Sequence, residues 1–283
     1  MRALFLIAFF VLGTPAAAET RSNKLTAQAK QPADTSGLIG FLQVRPSQDG
    51  GKDFFYTFNI AELGYRVYPN LSFSYQQQFF TNINDPSKTG LAPSLYDGFV
   101  RAQANGIWSV PKYYLRLDYE PRVYLPTDPE KQAHGMFGLT RQYLKLGRKL
   151  GENFAMNFWE VPILHGYTSN GYADATGSHA NPVFENRFFL MPEIMFLKGK
   201  IDITLPLIWG ATRYRAFSEE VENDNAWGHK LWVNPEIVFM ITPNFGLGLA
   251  YESQNLMSAD FSEFKFSEGF STGTSSLILH IGL

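Results

Sequence analysis

Residues 112–125 read KYYLRLDYEPRVYL, and two kinds of side chain alternate along them without a break. The odd positions are apolar or aromatic: Tyr113, Leu115, Leu117, Tyr119, Pro121, Val123 and Leu125. The even positions are mainly charged: Tyr114, Arg116, Asp118, Glu120, Arg122 and Tyr124. Successive side chains of a strand point to opposite faces, so this stretch predicts a β-strand with one apolar face and one charged face.

The same period of two recurs from residue 37 to the end of the chain. Twelve candidate strands follow from it, at residues 38–45, 55–68, 71–81, 96–108, 112–125, 135–148, 153–165, 183–197, 200–216, 230–241, 244–256 and 270–283. Short and long connections alternate between them, so one end of the sheet has short turns and the other end has long loops. This asymmetry is typical of bacterial outer-membrane barrels. The pattern predicts an all-β fold: one antiparallel transmembrane β-barrel of 12 strands over residues 37–283, with short periplasmic turns and long extracellular loops.

The N-terminus predicts export. Met1 and Arg2 precede an apolar run over residues 3–12, and Ala16-Ala17-Ala18 precedes Glu19. This is the pattern of a secretory signal peptide, residues 1–18, cleaved after Ala18. Residues 19–36 are polar and without period, which predicts a flexible periplasmic tail. No later window approaches the ~18–20 apolar residues of a membrane helix. The expected location is therefore the outer membrane.

Composition excludes several classes of protein. The chain has no Cys, so neither a disulfide framework nor a thiolate metal site is available. A net charge of −2 gives no bulk attraction to nucleic acid.

The expected partners are outer-membrane lipid, lipopolysaccharide and the barrel assembly machinery, with the protein a monomer or a small homo-oligomer. The final strand resembles the C-terminal assembly signal of outer-membrane proteins, although it ends on Leu283 where that signal has an aromatic residue. The acidic loop 218–224 is a candidate for cation bridging to lipopolysaccharide or a solvated loop.

The charged parity of the strands gives the candidate functional residues. If the apolar faces contact lipid, twelve side chains line the lumen: Arg101, Arg116, Asp118, Glu120, Arg122, Glu185, Arg187, Glu193, Asp202, Glu236, Glu252 and His280. One interpretation is a pore lining, in which opposed charges set a transverse field for small polar solutes. The other is a lumen partly filled by ion pairs that satisfy one another. The sequence leaves both open, because it does not reveal which side chains meet.

Prolines recur on the apolar parity, at Pro121, Pro192 and Pro235, each beside a charged residue. Proline has no N–H to donate to a strand ladder. Each of the three is therefore predicted to mark a bulge.

One long loop, residues 165–181, contains a possible catalytic set. Ser169-Asn170-Gly171, Asp174, Thr176 and Asn181 resemble the corresponding loop of outer membrane phospholipase A, a twelve-stranded lipid hydrolase. The resemblance implies Ser169 as nucleophile, His165 as base, Asn181 as the residue that orients the base, and calcium as cofactor. In that family the His stands two residues before the Ser, whereas here Tyr167 does and His165 stands four before. Apart from this alternative, no catalytic residue, metal ligand set or cofactor site is predicted.

Alternation alone does not separate a membrane barrel from a soluble one. The membrane barrel is favoured by the signal peptide, the long strands, the loop asymmetry and aromatic residues near strand ends: Tyr68, Trp108, Tyr113, Tyr124, Trp209, Tyr214 and Tyr251. The chain is also similar to the uncharacterised outer-membrane barrels of Gram-negative bacteria. We therefore expect a narrow porin-like channel or a structural envelope protein without catalysis. The alternatives are the lipid hydrolase and a soluble secreted β-barrel that binds an apolar ligand.

Overall fold

The structure is a computed structural model, and it describes residues 37–50, 55–82, 94–174, 177–217, 226–253, 256, 258 and 263–282. The predicted signal peptide, the tail, the acidic loop 218–224, Thr176 and Leu283 lie outside these residues. The strands are β1 (Gly37–Asp49), β2 (Phe55–Tyr68), β3 (Leu71–Asn82), β4 (Ser94–Val110), β5 (Leu115–Leu125), β6 (Met136–Lys149), β7 (Phe154–Tyr167), β8 (Gly171–Asp174), β9 (Gly177–Ala180), β10 (Pro182–Phe196), β11 (Ile201–Thr204), β12 (Leu207–Tyr214), β13 (Trp227–Val233), β14 (Glu236–Thr242), β15 (Phe245–Glu252) and β16 (Thr274–Gly282). The helices are α1 (Pro129–Ala133) and α2 (Phe266–Ser271).

These strands form a closed antiparallel barrel. Strands β1 to β7 pair consecutively, β7 pairs with β10, and at the other end of the chain β14, β15 and β16 pair in turn before β16 pairs with β1. β10 pairs with both β11 and β12, which are the two halves of one barrel strand, and β13 and β14 are the two halves of the next. Counted in this way the barrel has twelve strands, as the sequence predicts. The pair β8–β9 is a separate hairpin within a long connection.

Prolines interrupt the barrel wall. Pro206 separates β11 from β12, and Pro235 separates β13 from β14, because neither residue has an N–H for the ladder. The amides of Leu205 and Asn234 nevertheless donate to the carbonyls of Pro192 and Pro206, which keeps the neighbouring strands attached. Pro235 thus interrupts its strand where a bulge is predicted, whereas the bulge predicted at Pro192 is wrong, because Pro192 pairs in register with Met156.

The bulge predicted at Pro121 is wrong. Pro121 pairs in register with Gln142 of β6, and the pairing of β5 with β4 shifts only further along, between Tyr119 and Leu117. The strand predicted at residues 135–148 corresponds to β6, Met136–Lys149, whose backbone groups pair in ladders with β5 and β7.

The two ends of the barrel differ, as predicted. One end has tight connections, such as Pro69–Asn70 and the turn at Tyr114, whose φ of 51° is left-handed. The other end has the long connections, which carry α1, the β8–β9 hairpin and α2. The first and last described strand residues, Gly37 and Gly282, lie at the end of the barrel that has the tight connections. Among the described residues, neither helix is long and apolar enough to cross a membrane.

The two faces of the wall have opposite chemistry. Large apolar side chains on one face are exposed; Leu63, for example, is 58% exposed and Val123 52%. The other face carries buried polar and charged side chains, including Gln76, Glu120 and Arg187. This is the reverse of a soluble protein, in which the apolar face is the buried one.

Candidate functional site: the interior of the barrel

Long-range ion pairs identify the charged face as the inner one. Arg45 of β1 contacts Glu236 of β14 at 2.9 Å, although β15 and β16 lie between their strands. Arg101 of β4 contacts Glu62 of β2 and passes over Ser74 of β3, to which it donates a hydrogen bond of 2.9 Å. Side chains that reach past intervening strands in this way meet on the concave face of a curved sheet. The charged parity therefore points into the barrel and the exposed apolar parity points out.

Glu120 is the centre of the largest charge cluster. Its carboxylate accepts hydrogen bonds from Lys145 Nζ and Arg122 Nε, both at 2.7 Å. Arg101 Nη1 approaches the same carboxylate at 3.5 Å and links it to Glu62. Three cations thus surround one carboxylate that is 0% exposed. Burial of charge is tolerated when each ion is paired and hydrogen-bonded in this manner.

Aromatic rings hold the cations of this cluster. The Arg122 guanidinium lies between the rings of Tyr143, at 4.1 Å, and Phe99, at 4.8 Å. Lys145 Nζ lies 4.7 Å from the ring of Trp159. Cation–π contacts of this kind are strongest where water is excluded. The rings therefore fix the charges in place as well as screening them from water.

The cluster fills the middle of the barrel. Arg122 is 2% exposed and Trp159 3%, and Trp159 packs on Phe189 of the neighbouring strand β10, with ring centroids 5.6 Å apart. Ile208 and Trp232 of β12 and β13 belong to the same buried cluster. A side chain that lines a wide aqueous pore is open to water, whereas these are not. The interior is therefore constricted at mid-height by packed charged and aromatic side chains.

All twelve candidate lumen residues lie on the inner parity. Eight are buried: Arg101, Asp118, Glu120, Arg122, Glu185, Arg187, Glu193 and Glu236. Four are half-buried: Arg116, Asp202, Glu252 and His280. The structure brings Arg101, Glu120 and Arg122 together in the central cluster. Others form separate pairs, such as Arg116 with Asp118 at 2.6 Å. Whether they line a conducting pore stays a prediction.

Several inner residues were missing from the sequence-based set. Arg141 and Lys145 lie on β6, and Arg45 and Glu62 lie on the first two strands, where the alternation is weaker. The period of two, extended through residues 139–147, is the signal that identifies Arg141 and Lys145. Two aromatic residues expected at strand ends lie elsewhere. Tyr124 points inward and packs on Phe99, with ring centroids 4.6 Å apart. Trp209 pairs in register with Phe188 in the middle of β10.

The possible catalytic set is only partly assembled. Asn181 Nδ2 donates to Ser169 Oγ at 3.3 Å, so these two residues are neighbours. His165 instead points into the barrel, where Nε2 lies 3.4 Å from the Glu185 carboxylate. In the described part of the chain no hydrogen bond joins His165 to Ser169. A serine nucleophile needs its base within hydrogen-bond reach, and this arrangement does not provide one. Within the described residues no group of three or more His, Cys, Asp or Glu could hold a metal ion.

Comparisons with known proteins agree with this architecture. No protein-family model and no curated protein matches the sequence. Among solved structures, the NanC porin matches with a TM-score of 0.51 and 9% identity, covering 86% of this chain and 98% of its own. An outer membrane channel from Pseudomonas putida F1 matches with a TM-score of 0.51 and 12% identity, covering 90% of this chain and 100% of its own. Likeness at such low identity concerns the backbone alone. The chain has the fold of an outer-membrane porin-like β-barrel.

Proposed function

We propose that the protein is an outer-membrane channel that passes small polar solutes through a narrow, charged constriction. The observation that carries this proposal is the distribution of chemistry across the wall. Charges of both signs face a closed interior, while exposed apolar side chains cover the outside. Interleaved charges provide the transverse field that favours polar solutes and orients them in passage. The solved structures of the same fold that are named as a porin and a channel support this function.

The central cluster has to rearrange for conduction. Glu120 and Trp159 are not reached by water in this arrangement, so a solute passes only when side chains at mid-height move. The packed interior also supports the structural envelope protein as a second candidate. The two functions differ in whether solutes cross.

Solute entry into proteoliposomes tests the proposal. Liposomes that contain the folded protein are expected to swell in small sugars and amino acids, because these solutes enter through the barrel. Entry is expected to fall steeply as solute size increases, since the opening is narrow. Liposomes with heat-unfolded protein provide the control. If folded protein admits no solute above that control, the chain is a structural envelope protein and the channel proposal fails.

We further propose that the barrel lies in the outer membrane after export, with the signal peptide cleaved after Ala18. Its outer surface then contacts lipid, its long loops contact lipopolysaccharide, and the assembly machinery inserts it. The apolar outer face supports the lipid contact. The closed barrel supports it as well, because it leaves no backbone edge exposed to hydrocarbon. The secretory pattern at the N-terminus supports the export.

Charge at different depths tests the membrane placement. Leu63 lies in the interior of β2 on the outer face, and Leu63→Arg is expected to lower the unfolding free energy by about 2–4 kcal/mol in lipid bilayers. Leu38 lies near the end of β1 and is also exposed, so Leu38→Arg is expected to cost only about 0–1 kcal/mol, as at a membrane interface. Denaturant titration of both variants measures the difference. Equal effects at the two depths would contradict the placement.

A further inference from the structure

A cleft of about 510 Å³ lies at the end of the barrel that has the tight connections. It is formed by the turn that joins β4 to β5 and the turn that joins β6 to β7. These turns are neighbours because Leu115 pairs with Arg148, and because the Lys149 amide donates to the Tyr114 carbonyl at 3.2 Å. Small-molecule sites in proteins have volumes of about 300–1,000 Å³, so the cleft is large enough for a small polar group.

Positive charge is concentrated in this cleft, which we call the rim cleft. Lys112 of the first turn and Arg148 and Lys149 at the end of β6 line it together with one carboxylate, that of Glu152. Three cations against one carboxylate give a net charge of +2. Within the part of the chain that the structure describes, no carboxylate forms an ion pair with any of these three cations. The rim cleft therefore differs from the central cluster, in which Glu120 pairs with the cations around it.

Amphipathic and apolar side chains lie beside the cations. Tyr113 is 53% exposed, Tyr114 71% and Leu150 49%, and all three line the cleft. The Lys112 ammonium lies 5.6 Å from the centre of the Tyr113 ring. Exposed tyrosines at the end of a membrane barrel lie at the boundary between hydrocarbon and water. The rim cleft thus has the chemistry of the layer in which lipid headgroups lie.

The rim cleft opens toward the outside of the barrel. Arg148 is exposed and shares its parity on β6 with the exposed, outward-facing Leu144. Its guanidinium is therefore directed to the surroundings of the wall and not to the lumen. In the proposed orientation this end of the barrel faces the periplasm, where the membrane leaflet consists of phospholipid. The long loops at the other end face lipopolysaccharide.

We propose that the rim cleft binds the phosphate group of an anionic phospholipid from the periplasmic leaflet. The planar guanidinium of Arg148 offers paired donors to two phosphate oxygens, and the ammonium groups of Lys112 and Lys149 supply further charge. Tyr113 and Leu150 contact the first carbons of the acyl chains. A net positive cleft complements an anionic headgroup better than a zwitterionic one. The inference rests on the proposed membrane placement and not on the proposed conduction.

Native mass spectrometry of the full chain in detergent tests the lipid assignment. The probes are phosphatidylglycerol and phosphatidylcholine with the same acyl chains, each added at equal concentration. Phosphatidylglycerol is expected to stay bound to a several-fold larger fraction of the protein, and equal retention of the two lipids would overturn the proposal. Free glycerol phosphate, which has no acyl chains, is expected not to displace phosphatidylglycerol at equal concentration. Displacement would mean a site for a soluble phosphate and would overturn the lipid assignment.

A pair of charge-matched variants locates the binding. Each Lys or Arg near anionic lipid contributes a factor of about five to affinity, so Lys112→Gln with Arg148→Gln is expected to weaken phosphatidylglycerol binding about 25-fold. The control, Lys198→Gln with Lys200→Gln, also removes two exposed positive charges, from the turn between β10 and β11 at the same end of the barrel. It is expected to change binding little. Equal losses in the two variants would mean diffuse attraction and would overturn the proposal.

Two further readouts keep the outcomes separate. Heat-sensitive gel migration is expected in both double variants, because the replaced side chains are exposed and the barrel stays folded. Extraction of the unaltered protein into buffer without detergent would refute the membrane placement. A protein that needs detergent but shows no preference for phosphatidylglycerol would refute the lipid site alone.

Discussion

Replacement of Glu120 by Gln is expected to lower the unfolding free energy of the barrel by about 3–5 kcal/mol, the cost of leaving buried charge uncompensated. Gln has nearly the same size, so the loss arises from charge and not from packing. Arg122 and Lys145 both lie 2.7 Å from the Glu120 carboxylate, and Arg101 approaches it as well. Removal of this one charge leaves cations next to one another in a site without water.

Denaturant titration in lipid bilayers measures this loss. Glu152→Gln is the matched control, since Glu152 is exposed in a tight turn and its replacement is expected to change the unfolding free energy by less than about 0.5 kcal/mol. Adding Lys145→Met to Glu120→Gln is expected to restore part of the stability, because one unpaired cation is then removed. If Glu120→Gln were as stable as Glu152→Gln, the central cluster would not exist as described.

Replacement of Trp159 by Ala is expected to give the largest functional effect, a several-fold rise in single-channel conductance. Trp159 is 3% exposed and fills the middle of the barrel between Lys145, Tyr143 and Phe189. Loss of the indole removes a wall of the constriction and frees Lys145 from a cation–π contact. Both changes widen the polar path.

Trp209→Ala is the matched control for this variant. Trp209 also packs on a phenylalanine, Phe188, but on the outer face of the wall. The same loss of volume there is expected to leave conductance unchanged. Planar bilayer recordings of the two variants at equal voltage and salt give the comparison. Equal conductance in both would place the constriction elsewhere than at Trp159.

The local pattern was sufficient to predict the strands and their two faces. The alternation in residues 112–125 puts Arg116, Asp118, Glu120 and Arg122 on one face of the strand, because side-chain direction in a strand depends only on the period of two, and in β5 these four share one parity. The alternation of short and long connections likewise predicts twelve strands. The breaks at Pro206 and Pro235 shift strand boundaries by a few residues but leave the number unchanged.

The contacts inside the barrel could not be predicted from the sequence. The pair Arg45 and Glu236 joins positions 191 residues apart, and curvature of the closed wall brings them together. No local spacing encodes such a pair. The packing of Arg122 between Tyr143 and Phe99 depends on the register of three strands, which the alternation of one strand does not determine.

The outward position of Glu160 was likewise not identified from the sequence, for a different reason. Glu160 stands among Phe158, Trp159, Val161 and Pro162, and a single charge within an apolar run does not reveal which face it takes. The parity becomes clear only when the inner position of Trp159 is fixed by its neighbours. For the possible serine site, only part of the predicted set comes together. Ser169 and Asn181 are hydrogen-bonded neighbours, whereas His165 has the inner parity of its strand and contacts Glu185.

Single-channel recording of the unaltered protein in a planar lipid bilayer tests the central claim most directly. The account predicts discrete conductance steps that are small, since the packed cluster around Glu120 leaves only a narrow opening at mid-height. The steps are expected to become larger in Trp159→Ala and to keep their size in Trp209→Ala. Bilayers that contain folded protein but show no conductance steps at any voltage would contradict the account.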